Sequence, residues 1–136
     1  MFGTNFLQSA SLVQSDMLRN FWYGSETAGH IAKESHGHVI DESRSQEMIW
    51  AHATMIFQME TYYRATGDVS MRKRIAAEWA FLKKSFSEAK LTGDFGGPPN
   101  IAIDDAGWGA MAYMACYRAT GDLDTLRYTG NLVYNS

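Results

Sequence analysis

The stretch Tyr63-Arg64-Ala65-Thr66-Gly67-Asp68 recurs as Tyr117-Arg118-Ala119-Thr120-Gly121-Asp122, 54 residues later. Six consecutive identities mark an internal repeat, and a repeat constrains architecture before any other feature does. Each copy closes an apolar segment. Gly67 and Gly121 are placed to supply the left-handed residue that ends a helix, and Asp68 and Asp122 to cap the helix that follows. The repeat unit is therefore a pair of helices joined by a tight turn.

Outward from these turns, the helices alternate in character. Between Met48 and Tyr63 the only formal charge is Glu60. A helix so uniformly apolar is expected to be buried on all sides, as an inner element. The segment after Asp68 places Met71, Ile75, Trp79, Leu82 and Phe86 on one face, with Arg72, Lys73, Arg74, Glu78, Lys83 and Lys84 as the charged remainder. That spacing predicts an outer helix with one face to the core and one to water. The segment from about Asp104 carries no charge between Ala106 and Tyr117 and reads as inner again. The last, from about Leu123, reads as outer, with Leu126 and Val133 as core candidates. A first outer helix is expected over roughly Asn5 to Asn20. Ser43-Arg44-Ser45-Gln46 resembles a capping box that would start the first inner helix. Inner and outer helices in alternation define an all-α fold, an (α/α) toroid of helical hairpins.

Two long connections interrupt this order, from about Tyr23 to Glu42 and from about Ser87 to Ile103. The second contains Gly96-Gly97-Pro98-Pro99. Loops of this length are uncommon in compact helical domains and often carry function. Both lead into inner helices, so they are expected to gather at one mouth of the ring.

Bulk properties narrow the function classes. The chain has 136 residues and 46% hydrophobic content, enough for one domain with a real core. A net charge of -3 offers no footprint for nucleic acid or for an anionic membrane surface. Cys116, the single cysteine, excludes an intrachain disulfide. No apolar run reaches the length of a membrane span. The N-terminal residues lack the basic and long apolar regions of an export signal, and the residues are silent on oligomeric state.

The chemistry is expected at Asp104-Asp105. Paired carboxylates are the equipment of glycoside hydrolysis, one protonating the leaving oxygen while the other attacks or activates water. The start of a helix also favours negative charge. An Asp pair in that place is more simply a cap and its dipole partner. Three features weigh against that simpler reading. The pair follows the Gly/Pro-rich loop, opens an inner helix, and is missing from the first repeat, where Trp50 and Ala51 stand at the matching positions.

Ile103-Asp104-Asp105-Ala106-Gly107-Trp108-Gly109-Ala110, followed by the Thr120-Gly121-Asp122 turn, resembles glycoside hydrolase family 76, the endo-α-1,6-mannanases and their relatives. Ser45-Gln46-Glu47-Met48-Ile49-Trp50-Ala51-His52-Ala53 is similar to the family's first inner helix. The resemblance implies an (α/α)6 barrel and a retaining, two-carboxylate mechanism on α-mannan, with Asp104 as nucleophile and Asp105 as general acid/base. It also implies work outside the cytoplasm. Gly109 departs from the family pattern, where many members carry a second aromatic. A ring of this type needs twelve helices, against about five read here, so the chain resembles the N-terminal part of a longer catalytic domain. Alone it would leave inner helices exposed on their open side and would be inactive.

Trp108, one turn past the acids, is a candidate for stacking on a sugar, or else core. Trp50 and Gln46 are further substrate-binding candidates, although core packing and helix capping are their simpler roles. Trp79 reads as core. His30, His36 and His38 share the first long loop without the spacing of a metal site, and no cofactor is expected. Cys116 reads as a small buried hydrophobe. Two other readings stay open. An (α/α)-barrel sugar epimerase or uronyl hydrolase is one, although an epimerase would need histidines inside the ring and the inner helices hold only His52. A non-catalytic helical-repeat binding module is the other.

Overall fold

The computed structural model describes residues 2–32, 49–92 and 103–135. Six helices are present among them: α1 (Phe2–Phe21), α2 (Ile49–Thr66), α3 (Val69–Ser85), α4 (Glu88–Thr92), α5 (Ile103–Thr120) and α6 (Leu123–Asn135). A two-residue hairpin, β1 (Trp22–Tyr23) with β2 (His30–Ile31), pairs antiparallel after α1. The fold is all-α and is built from helical hairpins.

The repeat is structural to the residue. α2 and α5 begin and end 54 positions apart, and α3 and α6 begin 54 positions apart. The turns explain why the repeated residues are those residues. Gly67 and Gly121 adopt φ of 72° and 74°, and each donates its N–H to the carbonyl of Tyr63 or Tyr117, at 2.7 and 2.8 Å. Thr66 and Thr120 donate their hydroxyls to the carbonyls of Tyr62 and Cys116 and accept the N–H of Asp68 and Asp122. The Asp carboxylates then accept the N–H groups of Ser70 and Asp124, each at 2.9 Å. Every member of Thr-Gly-Asp thus satisfies a backbone group that a helix end leaves open.

α2 and α5 pack most extensively on each other, and α5 on α6. The equivalent residues Phe57 and Met111 line one depression, and Glu60 meets Arg118 towards the C-terminal ends of both helices. α2 and α5 therefore run parallel, with their first turns at the same end. Met71, Ile75, Trp79, Leu82 and Phe86 of the α3 stripe are all buried, as their spacing predicts. Trp79, Tyr113 and Tyr128 form an aromatic cluster joining α3, α5 and α6, with centroids 5.0–6.0 Å apart. Their polar ends are engaged where burial requires it. The Tyr113 hydroxyl donates to the Leu91 carbonyl at 2.6 Å and the Trp79 indole to Asp122 at 3.2 Å.

Four expectations are corrected. Glu78 is not on the solvent face of α3 but fully buried, because it lies on the same stripe as Ile75 and Leu82. In α6 the buried residues are Thr125, Tyr128 and Leu132, whereas Leu126 is half-buried and Val133 exposed. Thr125 can take a core position because its hydroxyl donates to the Asp122 carbonyl at 2.6 Å, and on the same face Tyr128 packs against Trp79 and Tyr113. α2 is not buried on all sides: Phe57 and Thr61 are exposed on its flank towards α1. The first long connection contains the β1–β2 hairpin, and the second contains α4. The capping box at 43–46 lies outside the described residues.

Candidate functional site

Asp104 and Asp105 fall in the first turn of α5, at the end of the bundle where α2 also starts. Unpaired backbone N–H groups at a helix start carry a partial positive charge, which favours ionised carboxylates there. The matching turn of α2 contains Trp50 and Ala51, so the acid pair marks one of two otherwise equivalent helix starts. Helical register puts positions 104, 108 and 111 on one stripe of α5. Along that stripe Trp108 is 39% exposed and Met111 41% exposed. Trp108 thus presents part of its ring to solvent one turn beyond the acids, rather than packing wholly into the core.

Beyond Trp108 the inner face continues as a shallow depression of about 300 Å³ lined by Phe57, Ala110, Met111, Met114 and Arg118. Arg118 closes it with two bonds to Glu60, Nε to Oε1 at 2.9 Å and Nη2 to Oε2 at 3.1 Å. This fork–fork geometry is the strongest form of ion pair and fixes the register of α5 on α2. The Glu60 hydrogen bond, with the Glu60 charge behind it and burial opposing both, raises the Arg118 pKa above its ordinary value. Towards this pair the depression is lined by the apolar side chains of Phe57, Ala110, Met111 and Met114.

A second buried pair escaped the sequence reading. His52 Nδ1 lies 2.6 Å from Glu78 Oε1, and Glu78 Oε2 accepts the Ile31 N–H at 2.7 Å. The imidazole sits beside the rings of Phe81 and Phe86, and His30 stacks on Phe81 at 4.1 Å. One carboxylate thereby ties the first turn of α2, the middle of α3 and the β1–β2 hairpin together. Its signal was legible as a Glu inside an apolar stripe, a position that requires a buried partner. His30 belongs to this packing, and His36 and His38 lie outside the described residues. Among the described residues no group of three or more His, Cys, Asp or Glu side chains could hold a metal ion.

Of the remaining candidates, Trp50 lies in the first turn of α2 and Gln46 outside the described residues. Cys116 is buried, and burial, with the nearby charges of Glu78 and Asp122, pushes its thiol far above the ordinary range. No described helix is long and apolar enough to cross a membrane. Comparison with protein-family models, curated proteins and solved structures finds no match for the chain.

Proposed function

We propose that this chain carries the catalytic acids of a retaining glycoside hydrolase acting on α-mannan, in an (α/α) barrel like that of family 76. The observation that supports the reading is the placement of Asp104 and Asp105. They occupy the first turn of an inner helix, above a partly exposed tryptophan, where the otherwise regular repeat departs from itself. A capping role alone would be expected to recur with the repeat, as Thr-Gly-Asp does.

In the proposed reaction the Asp104 carboxylate attacks the anomeric carbon while Asp105 delivers its proton to the glycosidic oxygen. The leaving sugar departs as an alcohol and a glycosyl ester forms on Asp104. Asp105, now a carboxylate, takes a proton from water, whose oxygen displaces the ester and returns both groups to their starting states. Asp105 must therefore hold its proton to a higher pH than Asp104 does, and the rate is expected to pass through a maximum with pH. Trp108 offers an apolar ring for the face of a sugar, and Gln46 and Trp50 are further candidate contacts.

A sugar epimerase is less well supported. Its chemistry would need histidine on the inner face, and His52 is instead buried against Glu78 of α3. The division of labour between the acids has a direct test in the protein expressed from its full reading frame. With a dinitrophenyl α-mannoside, whose leaving group needs no proton, Asp105→Asn is expected to accumulate a mass increase of one glycosyl unit, located on Asp104. Asp104→Asn is expected to show none. An adduct on neither variant, or on Asp104→Asn alone, contradicts the assignment.

A further inference from the structure

We propose that the cavity between the β1–β2 hairpin and α3 binds a small phosphorylated ligand, with its phosphate on Lys84 and His30 and its apolar body over Ala77, Ala80 and Phe81. The inference is independent of the proposed chemistry, because the cavity, of about 440 Å³, takes no lining residue from α2 or α5. That volume lies in the range of small-molecule sites. The floor is one stripe of α3. Ala77, Ala80 or Phe81, and Lys84 follow one another three or four positions apart and so share a face. The two alanines leave the space, and Phe81 borders it with a ring.

The opposite wall is the turn of the hairpin, from Thr27 to His30. Its shape is held by the protein's own bonds. The Trp22 indole donates to the Ser25 carbonyl at 3.2 Å, Ser25 Oγ accepts the Ala28 N–H at 3.1 Å, and Glu26 pairs with Lys73 at 2.9 Å. Gly29 passes so close to the start of the turn that a Cβ there would run into the carbonyls of Tyr23 and Ser25. His30 stacks on Phe81 with centroids 4.1 Å apart and rings within 9° of parallel, which fixes the plane of the imidazole. A wall held in this way loses little freedom when a ligand binds.

Charge and hydrogen-bonding capacity specify the ligand. Lys73 and Lys83 of α3 each hold a carboxylate, Glu26 and Asp124, whereas Lys84 has none among the described residues. The His30 imidazole and the Thr27 and Ser85 hydroxyls, which line the same cavity, likewise have no hydrogen-bond partner among the described residues. No carboxylate lines the cavity among those residues either, and Glu26 and Glu78 of the adjoining segments are engaged by Lys73 and by His52. Lys84 and Ser85 come from the helix, Thr27 and His30 from the hairpin. An ammonium, an imidazole and two hydroxyls are single-point groups reaching in from two sides, which suits the separated oxygens of a phosphate. A carboxylate is matched instead by the planar fork of an arginine, and no arginine is present here.

The probe is phenyl phosphate, which joins a phosphate to a flat apolar ring. Titrated into the full chain and followed by phosphorus and proton nuclear magnetic resonance, it is expected to bind saturably, with nuclear Overhauser contacts between its ring and Phe81. Lys84→Ala and Ala80→Leu, both at exposed positions, are each expected to weaken binding at least about tenfold, the first by removing the cation and the second by filling the cavity. Lys83→Ala is expected to leave it unchanged, because that ammonium already serves Asp124. Inorganic phosphate, which lacks the ring, and benzoate, which lacks the phosphate, are each expected to bind at least about tenfold more weakly. Absence of saturable binding, or binding indifferent to Lys84→Ala and Ala80→Leu, overturns the proposal. Benzoate bound as tightly as phenyl phosphate would overturn the choice of phosphate, and inorganic phosphate bound as tightly would overturn the apolar floor.

Discussion

Glu60 is a buried acid whose two oxygens are both held by one arginine, in a helix otherwise free of charge between Met48 and Tyr63. Removing one partner of such a pair leaves the other desolvated, and the cost exceeds what the pair contributes when intact. Arg118→Met is expected to lower unfolding free energy by about 3 kcal/mol in urea denaturation. Adding Glu60→Met, the residue that the second repeat carries at that place, is expected to recover most of the loss. A double variant no better than the single would contradict this view of the pair. Cys116 makes a kinetic prediction. Its thiol is buried and held neutral by burial, so labelling by a disulfide reagent is expected only as fast as the protein opens and to accelerate sharply in denaturant. Rapid native labelling would contradict its placement.

At the scale of elements, the two Thr-Gly-Asp turns differ in what else they hold. Asp68 caps α3 and does little more, whereas Asp122 caps α6, accepts the Trp79 indole and lies 4.0 Å from Lys83. Asp68→Ala is therefore expected to cost about 1 kcal/mol and Asp122→Ala about 2 kcal/mol, measured by thermal or urea unfolding. Equal costs would mean that the Trp79 contact contributes nothing. Asp124, in the first turn of α6, shows the sign of a surface pair. Partial burial opposes its ionisation, but hydrogen bonds from Lys83 and Arg127 outweigh that and lower its pKa. The contribution is thus present above the ordinary Asp range and lost as pH falls through the lowered value. Being at the surface it amounts to less than about 1 kcal/mol. The stability difference between the wild type and Asp124→Asn is expected at neutral pH and to shrink once pH falls below about 4.

These turns also show why the fold was legible. Gly67, Asp68 and their copies act through local backbone bonds, and the α3 stripe acts through helical spacing, so both can be read from neighbours in sequence. The partner of Glu78 and the exposure of Val133 could not be read that way. The partner that permits burial of Glu78 is His52, 26 positions away, and the buried face of α6 is the one that packs Tyr128 on Trp79 of α3 and Tyr113 of α5. The β1–β2 hairpin was missed for the same reason: its two-residue strands carry no periodicity, and the Ile31 N–H is held by Glu78 of α3.

At the scale of the whole molecule, parallel inner helices bring two helix starts to one end and place the acid pair on only one of them. The acid pair and Trp108 were legible in sequence because they depart from the repeat. The depression closed by Glu60 and Arg118 was not, because it exists only once α5 lies beside α2. The measurement that bears most directly on the proposed function is the release of reducing ends from α-1,6-mannan by the protein expressed from its full reading frame. The wild type is expected to release oligosaccharides. Asp104→Asn and Asp105→Asn are each expected to lose at least about 100-fold in rate while keeping the helical circular dichroism of the wild type. No release by the wild type, or near-normal release by either folded variant, would contradict the assignment of these two residues as the catalytic pair.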